Sequence, residues 1–317
     1  MSTAQQEIDE RTNLTSNNQF EMLLFRLGAA ADSDQRELFG INVFKVREIL
    51  VMPNIVTIAG SPKHLLGVAN IRGQIIPVID LAAVVGCKPR NGLNILLVTE
   101  YARSTQGFAV EEVDEIVRLD WSQVLSAEST SVAGLNTSIA RLDGNIDNTR
   151  LAQVLDVEHI LRSVLPSSKS KVKAEAGPAL ILPPGTKIVA ADDSGFARTL
   201  IEQGLTAMGA PFVMTKSGKE AWDMLEKIAE EAIAEGKTAR DKIALVLTDL
   251  EMPEMDGFTL TRKIKKDERF KSIPVVIHSS LSGTTNEDHI RSVGADAYIA
   301  KFVAEELGAT IRSVLSR

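Results

Sequence analysis

The sequence predicts two domains of different class, an all-β domain followed by an open α/β domain. The first half contains short strand-like runs separated by turns, which favours a barrel or a sandwich. The second half alternates short apolar runs with helix-period segments five times, which favours a parallel sheet covered by helices. A length of 317 residues agrees with about two domains.

Composition indicates an ordinary soluble protein and argues against a nucleic-acid binder. The chain has 44% hydrophobic and 24% charged residues, and its formal charge of -7 gives it no basic character. A single cysteine, Cys87, excludes an internal disulfide and agrees with a reducing cytoplasm. Residues 1–18 are polar without the apolar core of a signal peptide, and no apolar run reaches bilayer-spanning length. We therefore expect a cytoplasmic protein that reaches membranes only through a partner.

The strand candidates of the first half come first along the chain. They are Phe20–Leu27, Leu38–Val43, Gly67–Ile71, Gln74–Ile79, Ile95–Thr99 and Gly107–Val117. Between two of them lies the turn Arg72-Gly73, in which Gly73 can adopt a positive φ. An arginine at a hairpin tip is either a binding anchor or a solvated turn residue, and the residues alone leave both open.

A proline-rich stretch, Pro166–Pro184, separates the halves. It contains four prolines and a cluster of serines, which is typical of a linker. Its apolar patch Ala179–Leu182 could dock on either domain. The predicted divisions are a flexible tail over 1–17, a first domain over 18–163, a linker over 164–184 and a second domain over 185–317.

The helix candidates of the second half follow strand candidates in strict alternation. They are Phe196–Met208, Gly218–Glu235, Gly257–Lys266, Asn286–Val293 and Glu305–Leu315. Ser217 with Glu220 predicts a capping box at the second of these helices. This order predicts an open five-stranded sheet.

Four strand candidates of this half end in residues that carry chemistry. Asp192-Asp193, Asp249, Ser279 and Lys301 each follow an apolar run, and ligands of such sheets bind beyond the carboxyl ends of the strands. Any one of these residues alone could be a solvated loop residue. Together they suit Mg²⁺, which prefers oxygen ligands, and a phosphoryl group. Asp249 would be the nucleophile, Lys301 would neutralise developing charge, and Ser279 would donate to the transferred oxygens.

Residues 185–317 resemble the CheY-like receiver domains of response regulators, on the strings Asp192-Asp193-Ser194, Asp249 to Gly257, Ser279, Gly294 to Tyr298, and Lys301. The resemblance implies a flavodoxin-like fold with a five-stranded parallel sheet. It implies phosphorylation of Asp249 by a phosphohistidine and Mg²⁺ held by Asp193, Asp249 and the carbonyl of Glu251, with Asp192 assisting through water. It also implies a switch pair of Ser279 and Tyr298, although Tyr298 could simply be a packing residue.

Two departures from the receiver pattern affect these expectations. Phe302 follows Lys301 where receivers usually have a cis proline, so a trans bond is expected. Glu251 and Leu281 occupy the positions two residues after Asp249 and Ser279, which influence hydrolysis of the acyl phosphate in this family. The hypothesis that follows is a long-lived phosphoryl group.

Residues 18–163 resemble the CheW coupling family, on the strings Phe39 to Ile41, Lys45 to Ile49, Leu66 to Gly73 and Pro77 to Leu81. This resemblance implies two SH3-like barrels, with one binding face for a chemoreceptor tip and one for the histidine kinase CheA. Arg72, Val46 and Gly67 fall on the interaction surfaces of the family.

A CheW-like domain joined to a receiver is the arrangement of CheV-type chemotaxis coupling proteins. The chain is therefore expected to link receptor to kinase as a non-enzymatic adaptor regulated by phosphorylation of Asp249, and to contribute to adaptation. One alternative is a phosphate sink that drains phosphoryl groups from the kinase. An aspartate-based phosphohydrolase, with Glu251 as general acid, is the enzymatic alternative.

Overall fold

The computed structural model describes residues 19–30, 34–101, 104–126, 136–143, 149–165, 179–279, 293–301 and 304–316. The chain divides into two compact units, a first unit over Phe20–Ser170 and a second unit built around Lys171–Arg317. No helix within these described ranges is long and apolar enough to cross a membrane.

Strands dominate the first unit, as the sequence predicts. They are β1 (Gln19–Arg26), β2 (Ala29–Ala30), β3 (Leu38–Asn42), β4 (Val46–Val51), β5 (Leu65–Ile71), β6 (Gln74–Asp80), β7 (Cys87–Lys88), β8 (Ile95–Tyr101), β9 (Ser104–Val110), β10 (Glu112–Asp120), β11 (Val124–Ser126), β12 (Asn136–Arg141) and β13 (Leu151–Leu155). Two short helices, α1 (Leu81–Val85) and α2 (Val157–Val164), accompany them. Both helices begin after an aspartate whose side chain accepts a backbone N–H, namely Asp80 and Asp156.

A six-stranded sheet in the order β10-β1-β3-β13-β12-β11 forms one part of this unit. One of its faces carries a core in which Phe20 stacks on Trp121 with ring centroids 4.1 Å apart. Alternate residues of β1 and β3 on the other face, such as Phe25 and Phe39, are also fully buried. The central strands β1 and β3 are therefore covered on both faces.

A five-stranded sheet in the order β4-β8-β9-β6-β5 forms the other part, and its edges come together. The segment after β4 pairs with β5, because Val56 and Val68 exchange backbone hydrogen bonds of 2.9 Å. Arg72 at the tip of the β5–β6 hairpin also contacts Glu48 on β4. Contacts between both edge strands give this sheet the closed shape of a small barrel.

The predicted strand Gly107–Val117 is instead two strands, β9 and β10, which belong to different sheets. The break falls at Glu111, whose buried carboxylate accepts the N–H groups of Arg90 and Asn91 and lies 3.2 Å from Arg36. These bonds fix the point at which the chain leaves one sheet for the other. The apolar pattern continues through this crossover, so it did not reveal the break.

The second unit has the predicted α/β architecture. Its strands are β14 (Lys187–Ala191), β15 (Phe212–Thr215), β16 (Ile243–Thr248), β17 (Val275–Ser279) and β18 (Ala297–Ala300), and its helices are α3 (Gly195–Ala207), α4 (Gly218–Ala234), α5 (Gly257–Lys266) and α6 (Ala304–Leu315). All strand pairs are parallel, in the order β15-β14-β16-β17-β18. The predicted helix Asn286–Val293 lies, except for Val293, outside the described residues.

Each face of this sheet has its own core. Leu225 and Ile228 of α4 and Ile264 of α5 cover one face, where Trp222 also meets Phe270 edge to face. Leu205 of α3 and Ile311 of α6 cover the other. Helices on both faces bury every residue of the central strands β16 and β17, which explains their uninterrupted apolar runs, whereas the edge strands β15 and β18 are only partly buried.

Part of the predicted linker packs on the second unit. Leu180 is 6% exposed and belongs to the core between α3 and α6, and Leu182 packs against the same core. The Leu180 N–H donates to the Met208 carbonyl at 2.9 Å. We call residues 179–186 the strap. Residues 166–178 lie outside the described part of the chain.

Candidate functional site

Three carboxylates meet at the carboxyl edge of the parallel sheet. Asp192 and Asp193 follow β14, Asp249 follows the neighbouring β16, and one oxygen from each lies within 4.8 Å of the others. The Asp249 N–H donates to the Ala191 carbonyl at 2.9 Å, so the backbone pairing between β14 and β16 continues to the residue after β16. We call Asp192, Asp193 and Asp249 the acid cluster.

A lysine from the far end of the chain binds two members of the acid cluster. Lys301 Nζ lies 2.9 Å from Asp249 Oδ2 and 3.0 Å from Asp192 Oδ2. Asp192 is 0% exposed, Asp249 3% and Lys301 2%, so these contacts are made away from water. Among these four side chains three can be negative and one positive, so the group suits a further cation.

The loop that carries Asp192 and Asp193 is fixed by its own short-range bonds. The Ser194 N–H donates to Asp192 Oδ1 at 3.0 Å, and Ser194 Oγ caps α3 by accepting the Ala197 N–H. Arg198 Nη1 donates to the carbonyls of both acids. Sequence reasoning missed Arg198, because a side chain that binds backbone carbonyls has no motif of its own.

A glycine and a buried aspartate shape the loop after Asp249. A Cβ on Gly257 would lie 2.0 Å from the Asp249 carbonyl oxygen, so only glycine permits this approach. Asp256 caps α5 by accepting the Thr259 N–H at 2.6 Å. Its burial raises the pKa of the Asp256 carboxyl to about 6. Sequence reasoning did not single out these two residues, although an Asp-Gly pair before a helix is a recognisable capping signal.

Ser279 and Tyr298 lie together beside the acid cluster on β17 and β18. The Ser279 carbonyl accepts the Lys301 N–H at 2.9 Å and lies 3.4 Å from the Tyr298 hydroxyl, which donates to it. The half-buried Tyr298 ring also packs on the small core of Leu250, Phe258, Ile277 and Val293. Tyr298 therefore does pack, and it also contacts its predicted switch partner.

The remaining receiver predictions concern loop residues. Glu251 is half-buried, and its Oε1 atom is shielded from solvent. Leu281 and Phe302 lie outside the described residues, so the hypotheses that rest on them stay predictions.

The predicted capping box at the start of α4 differs in one of its two bonds. The Glu220 N–H donates to Ser217 Oγ as predicted, but the Glu220 carboxylate accepts the N–H of Lys216 rather than that of Ser217.

The three predicted partner-binding residues of the first unit lie on the five-stranded sheet. Arg72 has a side chain 77% exposed, yet its Nε and Nη2 both donate to Glu48 Oε2, at 3.1 and 2.9 Å. Arg72 and Gly73 both have positive φ, of 51° and 86°, and form the two-residue hairpin turn. The arginine is thus exposed but held in place.

Val46 and Gly67 occupy less accessible positions on the same sheet. Val46 is half-buried at the start of β4, and Gly67 is buried with a φ of 145°. A Cβ on Gly67 would lie 2.2 Å from the Val56 carbonyl, which gives this glycine a structural role in barrel closure.

Comparison with known families and proteins agrees with this two-unit architecture. Residues 21–165 match the CheW-like domain, and residues 188–312 match the response regulator receiver domain. Three relatives from Helicobacter pylori align along nearly the whole chain. They are chemotaxis protein CheV2 (27% identical, covering 98% of this chain and 99% of the relative), chemotaxis protein CheV3 (28%, 95% and 96%) and chemotaxis protein CheV1 (29%, 97% and 97%).

Proposed function

Because this chain is a CheV-type chemotaxis coupling protein, in which a CheW-like domain is joined to a receiver domain, we propose that phosphorylation of Asp249 regulates its coupling activity. The CheW-like domain would bind chemoreceptor tips and the histidine kinase CheA. The protein would associate with membranes only through those receptors. It would act as an adaptor without turnover of a small-molecule substrate, and its regulation would contribute to adaptation.

The observation that carries the proposal is the Lys301 ammonium group between Asp192 and Asp249, with Asp193 beside them. Three neighbouring carboxylates repel one another, and one lysine offsets only part of this charge. These residues fit Mg²⁺, which Asp193, Asp249 and the Glu251 carbonyl would hold, with Asp192 assisting through water. When bound, Mg²⁺ would neutralise charge on the phosphoryl oxygens.

The reaction transfers a phosphoryl group from a phosphohistidine of the kinase. An Asp249 carboxylate oxygen forms the new bond to phosphorus while the bond from phosphorus to the histidine nitrogen breaks, and the released imidazole takes a proton from solvent. Lys301 already lies 2.9 Å from Asp249, so its ammonium group can follow the charge onto the phosphoryl oxygens. The buried site excludes bulk water from these contacts.

Ser279 would connect phosphorylation of Asp249 to a change at the protein surface. Its hydroxyl would turn to donate to a phosphoryl oxygen, and its carbonyl is the group that the Tyr298 hydroxyl contacts at 3.4 Å. A shift of this strand end would change the position of the half-buried Tyr298 ring. The receiver would thereby change its contacts with the coupling domain or with the receptor–kinase array.

Asp249→Ala tests the proposal in reconstituted arrays of receptor, kinase and this protein. The native chain should alter kinase control after phosphorylation, and Asp249→Ala should couple receptor to kinase but fail to adapt. Asp223→Asn, an exposed acid on α4 paired with Lys219, is the matched control and should behave as native. Equal adaptation by native and Asp249→Ala proteins would refute regulation through this residue.

Two alternatives give different results in the same system. A phosphate sink would accept phosphoryl groups rapidly without changing receptor–kinase binding. A phosphohydrolase would release phosphate steadily from a small phosphoester, and Glu251→Gln would abolish that turnover.

A further inference from the structure

Arg198 occupies a position that a helix does not favour for a cation. It lies in the first turn of α3, which begins at Gly195, and the amide dipoles there already present partial positive charge. A residue that breaks a local rule of this kind commonly has a compensating role at a functional site.

The contacts of Arg198 connect its side chain to the backbone of the acid pair. Its Nη1 atom donates to the Asp192 carbonyl at 3.0 Å and to the Asp193 carbonyl at 2.8 Å, and the side chain is half-buried. One nitrogen therefore holds both consecutive peptide groups that present the acid pair. The Arg198 N–H donates to the Ser194 carbonyl at 2.9 Å, which is the ordinary first backbone bond of α3.

The two carboxylates depend on this loop for their direction. Asp192 turns inward to Lys301, whereas Asp193 is only half-buried. Their backbone carbonyls are fixed by the same guanidinium group. Rotation of either peptide would move its carboxylate away from the acid cluster.

We infer that Arg198 is a positioning residue, which locks the Asp192–Asp193 backbone so that both carboxylates are preorganised for a divalent cation. The inference rests on the proposed function, because it assigns a supporting residue to the same site. It assigns Arg198 no contact with the cation or with the phosphoryl group.

The charge of Arg198 and its positioning of the backbone should affect Mg²⁺ affinity in opposite directions. A guanidinium near a cation site repels the cation, so removal of its charge alone would tighten Mg²⁺ binding. Loss of a residue that orients metal ligands typically weakens affinity by about 10- to 100-fold. A merely structural arginine would lower the unfolding temperature and leave Mg²⁺ affinity unchanged.

The experiment is a calorimetric titration of the full-length chain with MgCl₂, combined with thermal unfolding. Arg198→Ala should weaken Mg²⁺ binding by about tenfold or more, and Arg198→Lys, which retains one donor, should recover part of the loss. Arg240→Ala is the matched control. Arg240 likewise donates to a backbone carbonyl, that of Ala244, but near the opposite end of β16.

Unchanged or tighter Mg²⁺ binding by a folded Arg198→Ala protein would overturn the inference and leave the proposed function intact. Absence of Mg²⁺ binding by the native chain would overturn the proposed function and the inference with it. If Arg198→Ala does not fold, Arg198→Met replaces it, because methionine keeps much of the side-chain volume but has no N–H donor, and native affinity in that variant would overturn the inference.

Discussion

At the scale of single residues, the receiver domain buries charged side chains, and burial of a charge lowers the free energy of unfolding unless the charge is well paired. Asp192, Asp249 and Lys301 are almost fully buried, and removal of one partner from such a group typically costs about 3–5 kcal/mol. Asp256 is a simpler case, because its carboxyl is buried and caps a helix outside the acid cluster. It allows the cost of burial to be measured at one titrating group.

Asp256→Asn should make the receiver domain more stable at pH 7 and leave its stability unchanged below about pH 4. Burial raises the pKa of Asp256 to about 6 from 3.8, so the folded state holds the proton more tightly. Stability from this group is therefore fully present below pH 3.8 and is lost as the pH rises through 6. The gain for asparagine, which keeps the cap, is about 3 kcal/mol at most.

Urea unfolding at several pH values, followed by Trp222 fluorescence in a Trp121→Phe background, reads this domain alone. Asp267→Asn is the control of opposite sign, because a hydrogen bond from Arg269 lowers the pKa of Asp267. Its stabilising effect is present at neutral pH and is lost as the pH falls, so Asp267→Asn should weaken the domain at pH 7. An equal benefit of Asp256→Asn at pH 4 and pH 7 would contradict the burial argument.

At the scale of elements, two features hold segments that a simple strand and helix description would leave loose. The strap inserts Leu180 between α3 and α6, and the β5–β6 hairpin reaches back to β4 through Arg72. Both connect parts of the chain that are adjacent only in the folded domain. At each feature, a nearby residue of the same type or similar size but with fewer contacts provides a control substitution.

Leu180→Ala should lower the unfolding free energy of the receiver domain by about 2–5 kcal/mol, since it leaves a cavity in a core. Ile181→Ala should change it by less than about 0.5 kcal/mol, because Ile181 is 91% exposed. Urea unfolding followed by Trp222 fluorescence measures both variants. Equal, small effects would show that the strap is detached in solution.

Gly67→Ala should destabilise the CheW-like domain more than Gly73→Ala. Gly73 has a φ of 86°, near the left-handed helical region, where alanine costs about 1 kcal/mol, whereas the φ of 145° at Gly67 is one that other residues rarely adopt. At Gly67 the new Cβ would also lie 2.2 Å from the Val56 carbonyl, whereas at Gly73 nothing lies within 4 Å. Denaturant unfolding followed by Trp121 fluorescence in a Trp222→Phe background should rank them in this order, and the reverse order would contradict the described closure of the barrel.

Elements with a strong period were predictable from the sequence. The predicted helix Gly257–Lys266 coincides with α5, and Gly218–Glu235 differs from α4 by one residue, because amphipathic spacing reports local burial directly. The Glu111 crossover was not predictable, since the bonds that cause it come from residues distant in sequence. At the acid cluster, strand ends marked the charged residues, but Arg198 acts on backbone carbonyls that no side-chain pattern reveals.

At the scale of the whole molecule, the chain has two units with separate cores and one tryptophan in each. Ligand binding stabilises only the unit that holds the site, by about 2.7 kcal/mol at a concentration of 100 times Kd. Two unfolding transitions are therefore expected, and they should respond differently to a divalent cation.

Addition of MgCl₂ should raise the midpoint temperature of the unfolding transition reported by Trp222. The midpoint temperature reported by Trp121 should not change. NaCl at equal ionic strength controls for general salt effects, and Asp193→Asn should reduce the shift because it removes one oxygen of the acid cluster. Thermal unfolding of single-tryptophan variants measures both transitions. A Mg²⁺ shift that survives Asp193→Asn unchanged would place the ion elsewhere.

The contact of Lys301 with Asp192 and Asp249 at one edge of the sheet has a consequence for synthesis of the chain. Lys301 follows the last strand, whereas Asp192 follows the first strand of the same sheet, so a chain that ends before Lys301 lacks the ammonium group that Asp192 and Asp249 contact. A nascent or partly degraded copy that lacks β18 and Lys301 would still contain the CheW-like domain, but its Asp249 would lack the lysine that the proposed phosphoryl transfer uses. Under the proposed function, phosphorylation would therefore be confined to copies whose receiver domain has been synthesised through Lys301.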